Sequence, residues 1–381
     1  MPRRAFFLAA LLAAGLWLNL RSDAPPAPGS HDAAFTKDGL IKADVSQLRD
    51  TQIVANPDAQ LNPANNVIWC GTLQLAWNEA IGLIGEKPRF FHQPPLVDLL
   101  NREDFTRRDL DPGSYVAIAD FERNHVEAEI RAALEKVFHG AASPDLIPPV
   151  PPNPGPDDFV AYAYLFKNLA FARPFLNSDS IVFAGTPVKG FGFTGKPSDL
   201  RDQLAAQVTI CSYNSADDFV IKLKTSQPGD ELILAKVPPL AMKIPPGLNL
   251  LPTLITADSR ATAYAGAVGP GDVLAIPKIN IDLEKEFTEL EGLKLNPGPA
   301  AKIQSQLTLT RAQQLVRFQL NEKGAVLKSE ATLGFAATAM IAPQHRLIFD
   351  KPFLILMKQA GSAKPYFAMW VGNASLLIPA K

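Results

Sequence analysis

The run Gly190-Phe191-Gly192-Phe193-Thr194-Gly195-Lys196-Pro197 sets glycines and a lysine close to the spacing of a phosphate-binding loop. Such a loop needs a Ser or Thr after its lysine to hold Mg²⁺, and it must open into a helix whose N-terminal amides face the phosphate. Pro197 occupies the metal-holding position, so the nucleotide chemistry fails there. Glycines spaced by aromatics fit a strand and turn better. The five histidines, His31, His92, His125, His139 and His345, include no pair at metal-ligand spacing. His125-Val126-Glu127 opens like a zinc-deaminase motif but lacks the downstream cysteine pair. No Gly-x-Ser-x-Gly elbow marks a serine nucleophile. Asn373-Ala374-Ser375 has the form of a glycosylation sequon, but it borders an apolar strand. These residues assign no catalytic group, no metal and no cofactor, and a protein that is not an enzyme is expected.

The chain that must position any site has 381 residues, 47% hydrophobic and 20% charged. That can bury a large core as one big domain or two smaller ones. A net charge of −1 gives no pull toward nucleic acid or an anionic membrane surface. The 34 prolines cluster in loops, and there is no internal repeat. Cys70 and Cys211 can close one disulfide, although the apolar run around Cys70 favours two small buried residues.

Pro2-Arg3-Arg4 ahead of the apolar stretch Ala5 to Leu20 predicts an export signal over residues 1–21. The stretch is short for a span of about 20 residues, which favours a secretory signal peptide. No clean small-x-small cleavage site follows, so an uncleaved membrane anchor stays open. No cysteine ends the apolar run, which argues against a lipoprotein. Residues 22–34 read as a linker and 35–381 as a single domain, secreted or periplasmic, touching a membrane only through an uncleaved N-terminal segment.

Along that domain, Asn66 to Trp69 predicts a short strand entering a buried helix from Leu73 to Gly82. His125 to Phe138 predicts an amphipathic helix with Val126, Ile130, Ala133, Leu134 and Phe138 on one face. Ser143 to Asp157 is a proline-rich loop. Ile181 to Phe193 and Phe219 to Ala235 read as strands. Near the C-terminus, Phe318 to Gly324 predicts a strand ending in a charged turn. Phe349 to Lys358 then reads as a buried strand, with Lys364 to Val371 as its hairpin partner. Between Gly324 and Pro352 lies a long stretch rich in small, uncharged residues, Ala331 to Met340 among them. Connections of that length in a compact domain are functional or disordered.

In order and spacing this C-terminal arrangement resembles the serpin family: the hinge Glu322-Lys323-Gly324, an exposed reactive loop, the strand at Lys351-Pro352-Phe353, and a terminal strand. Further likenesses are a central strand over Phe159 to Phe175 with its landmarks Phe166-Lys167 and Arg173-Pro174-Phe175, and a strand from Val273 to Ile281 followed by a helix over Leu283 to Leu295. The resemblance covers residues 62–85 and 159–379; residues 86–158 stand outside it. It implies an α+β fold with a large central β-sheet, further sheets, a helical cluster and an exposed reactive loop over residues 325–342.

The resemblance also implies a mechanism. A target protease cuts the loop, and the hinge (Glu322, Lys323, Gly324, Ala325, Leu327) inserts into the central sheet as a new strand. A central strand buries alternate side chains. Ala325, Leu327, Ser329, Ala331, Leu333, Phe335 and Ala337 would face inward, and Val326, Lys328, Glu330 and Thr332 outward, so both charges stay wet. Leu327 stands where inhibitory members carry small residues, and overpacking would slow insertion. The polar latch of the family maps onto Cys70, Leu73, Tyr162 and Gln314. Apolar replacement of a hydrogen-bonded network can keep a fold stable without preserving a switch. Phe171 and Met369 likewise replace a tryptophan and a glycine of the family. Counting from the hinge puts the scissile bond at Thr338–Ala339, and counting back from Lys351-Pro352 puts it at Ile341–Ala342. Thr338, Ala339, Met340 and Ile341 are therefore the scissile candidates, and they suit an exported serine protease of elastase or subtilisin type. Two functions follow: a monomeric serine protease inhibitor, which Leu327 and the altered latch weigh against, or a non-inhibitory binding or structural protein on the same scaffold.

Overall fold

The computed structural model describes residues 39–59, 62–139, 158–226, 229–237, 250–264, 266–304, 307–309, 311–325 and 345–380. In chain order, β1 (Ile41–Asp44), β2 (Thr51–Val54) and β3 (Asn66–Cys70) lead into α1 (Thr72–Ile84). Next come α2 (Pro95–Leu100), β4 (Tyr115–Phe121), α3 (Val126–Phe138), β5 (Phe159–Leu165) and β6 (Leu169–Ala170). A hairpin of β7 (Leu176–Phe183) and β8 (Thr186–Phe193) precedes α4 (Asp199–Ala205), β9 (Val208–Ser215), β10 (Asp218–Leu223) and β11 (Asp230–Lys236). Then follow α5 (Leu250–Ala261), β12 (Gly266–Ala267), β13 (Val273–Pro277), β14 (Ile279–Glu286), β15 (Leu293–Lys294) and β16 (Thr308–Leu309). The chain closes with β17 (Gln313–Leu320), β18 (Gly324–Ala325), β19 (Arg346–Ile348), β20 (Phe353–Gln359) and β21 (Pro365–Val371).

The fold is α+β. Its largest layer is an eight-stranded sheet in the order β12-β9-β10-β11-β20-β21-β3-β2. The middle strands are apolar without alternation, and Phe353 to Met357 and Tyr366 to Val371 are buried on both faces of the sheet. Continuous burial of this kind is what a sheet covered on both sides requires, and each fully buried large side chain contributes about 1.5–3 kcal/mol. A four-stranded sheet, β19-β13-β8-β7, and a three-stranded sheet, β1-β14-β17, complete the main core. β4 pairs with β5 in a separate two-stranded sheet. Gly190 and Gly192 lie in β8, in register with β13. There a side chain at Gly192 has no room, because its Cβ would lie 1.9 Å from the Leu274 carbonyl oxygen. Close strand packing, rather than a phosphate, accounts for those glycines.

Several expectations correspond to what is seen. β3 runs straight into α1, and α3 buries Val126, Ile130, Leu134 and Phe138. Others need correction. Leu283 to Leu295 is not a helix: β14 continues to Glu286, followed by a short 3-10 turn at Thr288–Leu290 and then β15. Ile279, Ile281 and Leu283 are buried while Asn280, Asp282 and Glu284 between them are not, a period of two that suits a strand held between β1 and β17. The strand expected over Phe159 to Phe175 stops at Leu165, and only Leu169–Ala170 resumes pairing. Ile181 to Phe193 and Phe219 to Ala235 are each divided between two strands. Residues 86–139, which no resemblance covered, hold α2, β4 and α3. The export signal, the proline-rich loop and the candidates Leu327, Thr338, Ala339, Met340 and Ile341 lie outside the described residues. Cys70 and Cys211 are buried free thiols, and burial pushes both thiols up from their ordinary value.

Candidate functional site

The hinge begins where the alternation of β17 ends. Gln314, Val316, Phe318 and Leu320 point inward along that strand. The turn after it closes on itself, since Asn321 N donates to Gly324 O and Gly324 N to Asn321 O, each at 3.1 Å. Gly324 has φ +120°, and a Cβ there would stand 2.3 Å from Leu169 O, so only glycine lets β18 lie against β6. Phe171 N donates to Lys323 O at 2.8 Å and Phe175 N to Glu322 O at 2.7 Å, continuing the contact. Glu322 is buried, with its carboxylate 2.6 Å from Lys278 Nζ, and the same Nζ lies 2.5 Å from Asn177 Oδ1.

Behind the hinge lies an interrupted sheet. β5 pairs with β4, and β17 pairs with β14, but among the described residues β5 and β17 do not pair with each other. α1 packs mainly against β4 and β5 and also touches β17. β5 continues into β6 and β17 into β18, and the β6–β18 ladder joins the two half-sheets at that end. The inner edges of β5 and β17 are thus left with backbone groups that a further strand could satisfy.

Near the other end of β17, Gln314 Nε2 donates to Cys70 O at 2.9 Å and to Thr72 Oγ1 at 2.7 Å. Thr72 Oγ1 in turn donates to Cys70 Sγ at 3.7 Å. Three of the four latch positions therefore meet around the β3–α1 corner: Cys70, Gln314 and the buried Leu73. The fourth does not join them. Tyr162 packs with the side chains of α3 on the far face of β5, and its buried hydroxyl makes no hydrogen bond. Burial holds that phenol well above its ordinary value, with the nearby Tyr164 adding to the effect. Gln314 keeps hydrogen bonds at this corner, one of them to Thr72, a residue outside the mapped positions. Gln314 Oε1 itself is buried without a partner.

The far side of the connection is fastened too. His345 N donates to Asp272 Oδ1 at 2.6 Å, and its Nδ1 stands 2.8 Å from Oδ2, which also accepts from Gly269 N at 2.7 Å. Burial alone would raise the Asp272 carboxyl, but the hydrogen bonds from the His345 side chain and amide and from Gly269 outweigh it and hold it below the usual range. Lys236, 2% exposed, ties β11 to the end of β19 through Ile348 O at 2.9 Å and to the segment after it through Asp350 at 2.5 Å. Nothing in the local sequence around Asp272, Asn177 or Thr72 marked them, because each partner lies far along the chain. The sequon asparagine, Asn373, accepts from Asn66 Nδ2 at 2.9 Å and donates to Ala64 O at 2.8 Å, so its amide is part of a turn. Among the described residues no group of three His, Cys, Asp or Glu side chains is placed to hold a metal.

No protein-family model matches the chain. No curated protein matches it closely. Solved structures similar to it are serpins. A thyroxine-binding globulin in complex with thyroxine is 13% identical, with a TM-score of 0.49 over 82% of this chain and 94% of that one. Human glycosylated kallistatin is 12% identical, with a TM-score of 0.46 over 82% and 92%. A serpin from Schistosoma mansoni is 11% identical, with a TM-score of 0.40 over 66% and 64%. None of these likenesses assigns a role to a residue here.

Proposed function

We propose that the chain is an exported serpin-like protease inhibitor whose segment 325–342 is the bait for a serine protease of elastase or subtilisin type. The observation that carries this reading is the interrupted sheet. β5 and β17 are the edges of two half-sheets over one helix, and the strand that would fill the gap begins at the turn that ends β17. Insertion would satisfy both edges at once and bury every second side chain of the loop, a large gain in pairing and burial. The scissile candidates Thr338, Ala339, Met340 and Ile341 would suit small or medium apolar pockets. Export rests on the N-terminal signal; no helix among the described residues is long and apolar enough to cross a membrane.

A second reading, a non-inhibitory binding scaffold, is favoured by Leu327 and by Tyr162, which is turned onto α3 instead of toward the β3–α1 corner. The test is thermal unfolding before and after a single nick within residues 336–342. Strand insertion predicts a rise well beyond the few degrees of about 1 kcal/mol of local change. No rise, or a fall, would discard the inhibitor and leave the binding scaffold.

A further inference from the structure

Three elements bring three reactive groups to one point. Asn177 comes from β7, Lys278 from the junction of β13 and β14, and Glu322 from the turn after β17. Lys278 Nζ touches both partners, at 2.5 Å from the Asn177 amide oxygen and 2.6 Å from Glu322 Oε2. The Lys278 and Glu322 side chains are only 15% and 10% exposed. The surroundings are aromatic: Asn177 stands opposite Phe191, and the rings of Phe171, Phe175 and Phe191 pack together beside the Glu322 backbone. An amine, a primary carboxamide and a carboxylate in mutual reach of one nitrogen are a complete set for amide exchange. Groups held within reach of one another react as an intramolecular pair of high effective concentration once the nitrogen is aligned on the carbonyl carbon.

We propose that Lys278 and Asn177 are joined by an isopeptide bond, with Glu322 as the proton carrier. The Lys278 ammonium passes a proton to the Glu322 carboxylate, and the neutral Nζ attacks Asn177 Cγ, forming the new N–C bond. Glu322 hands its proton to the departing nitrogen and takes a second from Nζ. The Cγ–N bond of the original amide then breaks and ammonia leaves, taking the last proton from Glu322 as ammonium. A secondary amide remains, the carboxylate is regenerated, and nothing is oxidised or reduced. The bond fastens β7 of the four-stranded sheet to the start of β14 in the three-stranded one. It also turns the partner of Glu322 from an ammonium into an amide N–H, so the hinge loses its ion pair while keeping a hydrogen bond.

Mass spectrometry of the purified full chain tests this, with the mature N-terminus fixed by sequencing. The intact mass is expected to fall short of the sequence mass by one ammonia, and proteolysis is expected to give a branched peptide joining the Asn177 and Lys278 segments. Lys278→Arg, which keeps the ion pair, restores the full mass. Glu322→Gln, which keeps both reacting groups, abolishes or greatly slows the bond. A full sequence mass in the folded wild-type chain overturns the proposal, and so does an ammonia loss that persists in Lys278→Arg without a branched peptide. The readout is independent of whether the loop inserts, so failure here leaves the inhibitor reading standing, and the reverse.

Discussion

Gly324→Ala probes the hinge where geometry leaves least room. The residue sits at φ +120°, and an added Cβ would lie 2.3 Å from Leu169 O and 2.7 Å from Ala170 Cα, both backbone atoms that cannot swing away. Forcing an L side chain into that conformation costs about 1–3 kcal/mol. The clash adds to this, because β18 must part from β6, and each backbone hydrogen bond given up costs about 0.5–1.5 kcal/mol. The sum is about 2–5 kcal/mol. Gly185, in the β7–β8 hairpin at φ +91°, provides the control: nothing lies within 4 Å of its Cβ position, so Ala there carries conformational strain alone, about 1–2 kcal/mol. Urea unfolding of both variants separates the terms, and limited proteolysis over residues 326–344 reports whether the hinge is released. Gly324→Ala is expected to be the less stable of the two and to be cut faster in that segment. Equal midpoints and unchanged cleavage would refute the claim that the β6–β18 ladder holds the hinge.

Three further outcomes are expected. Tyr162→Phe removes a buried hydroxyl that has no partner, so stability should be unchanged or rise by up to about 1 kcal/mol; a clear loss would show a hidden partner. Gln314→Ala removes the side-chain donor to Cys70 O and Thr72 Oγ1 and should cost about 1–3 kcal/mol, and a double-mutant cycle with Thr72→Val should show coupling of about 0.5–1.5 kcal/mol; strict additivity would remove Thr72 from the latch. Asp272 has its carboxyl held low in the native state, so the unfolded chain binds the proton more readily. Its stabilisation is therefore complete above the unfolded value of about 3.9 and is lost as pH falls through the lower native value. Stability measured down the acid limb should fall more steeply in the wild type than in Asp272→Asn; parallel curves would mean the His345 contact contributes nothing.

Patterns local to the chain were legible in advance. The period of Val126, Ile130, Leu134 and Phe138 is a helical face whatever it packs against, and the apolar runs at Phe353 to Met357 and Tyr366 to Val371, short and parted by a turn, fit a pair of buried strands. The resemblance failed at Leu283 to Leu295, where it implied a helix but the alternation of Ile279, Ile281 and Leu283 supports a strand. Type and spacing thus marked the turn after β17 and most of the elements, while the α+β class followed from the family resemblance. Which groups meet was decided only in three dimensions. Gln314 finds Thr72 242 residues away, Lys278 finds Asn177 101 residues away, and His345 finds Asp272 73 residues away. A hydrogen bond or ion pair depends on distances of about 3 Å, and only the packing of sheets and helices brings such distant segments that close.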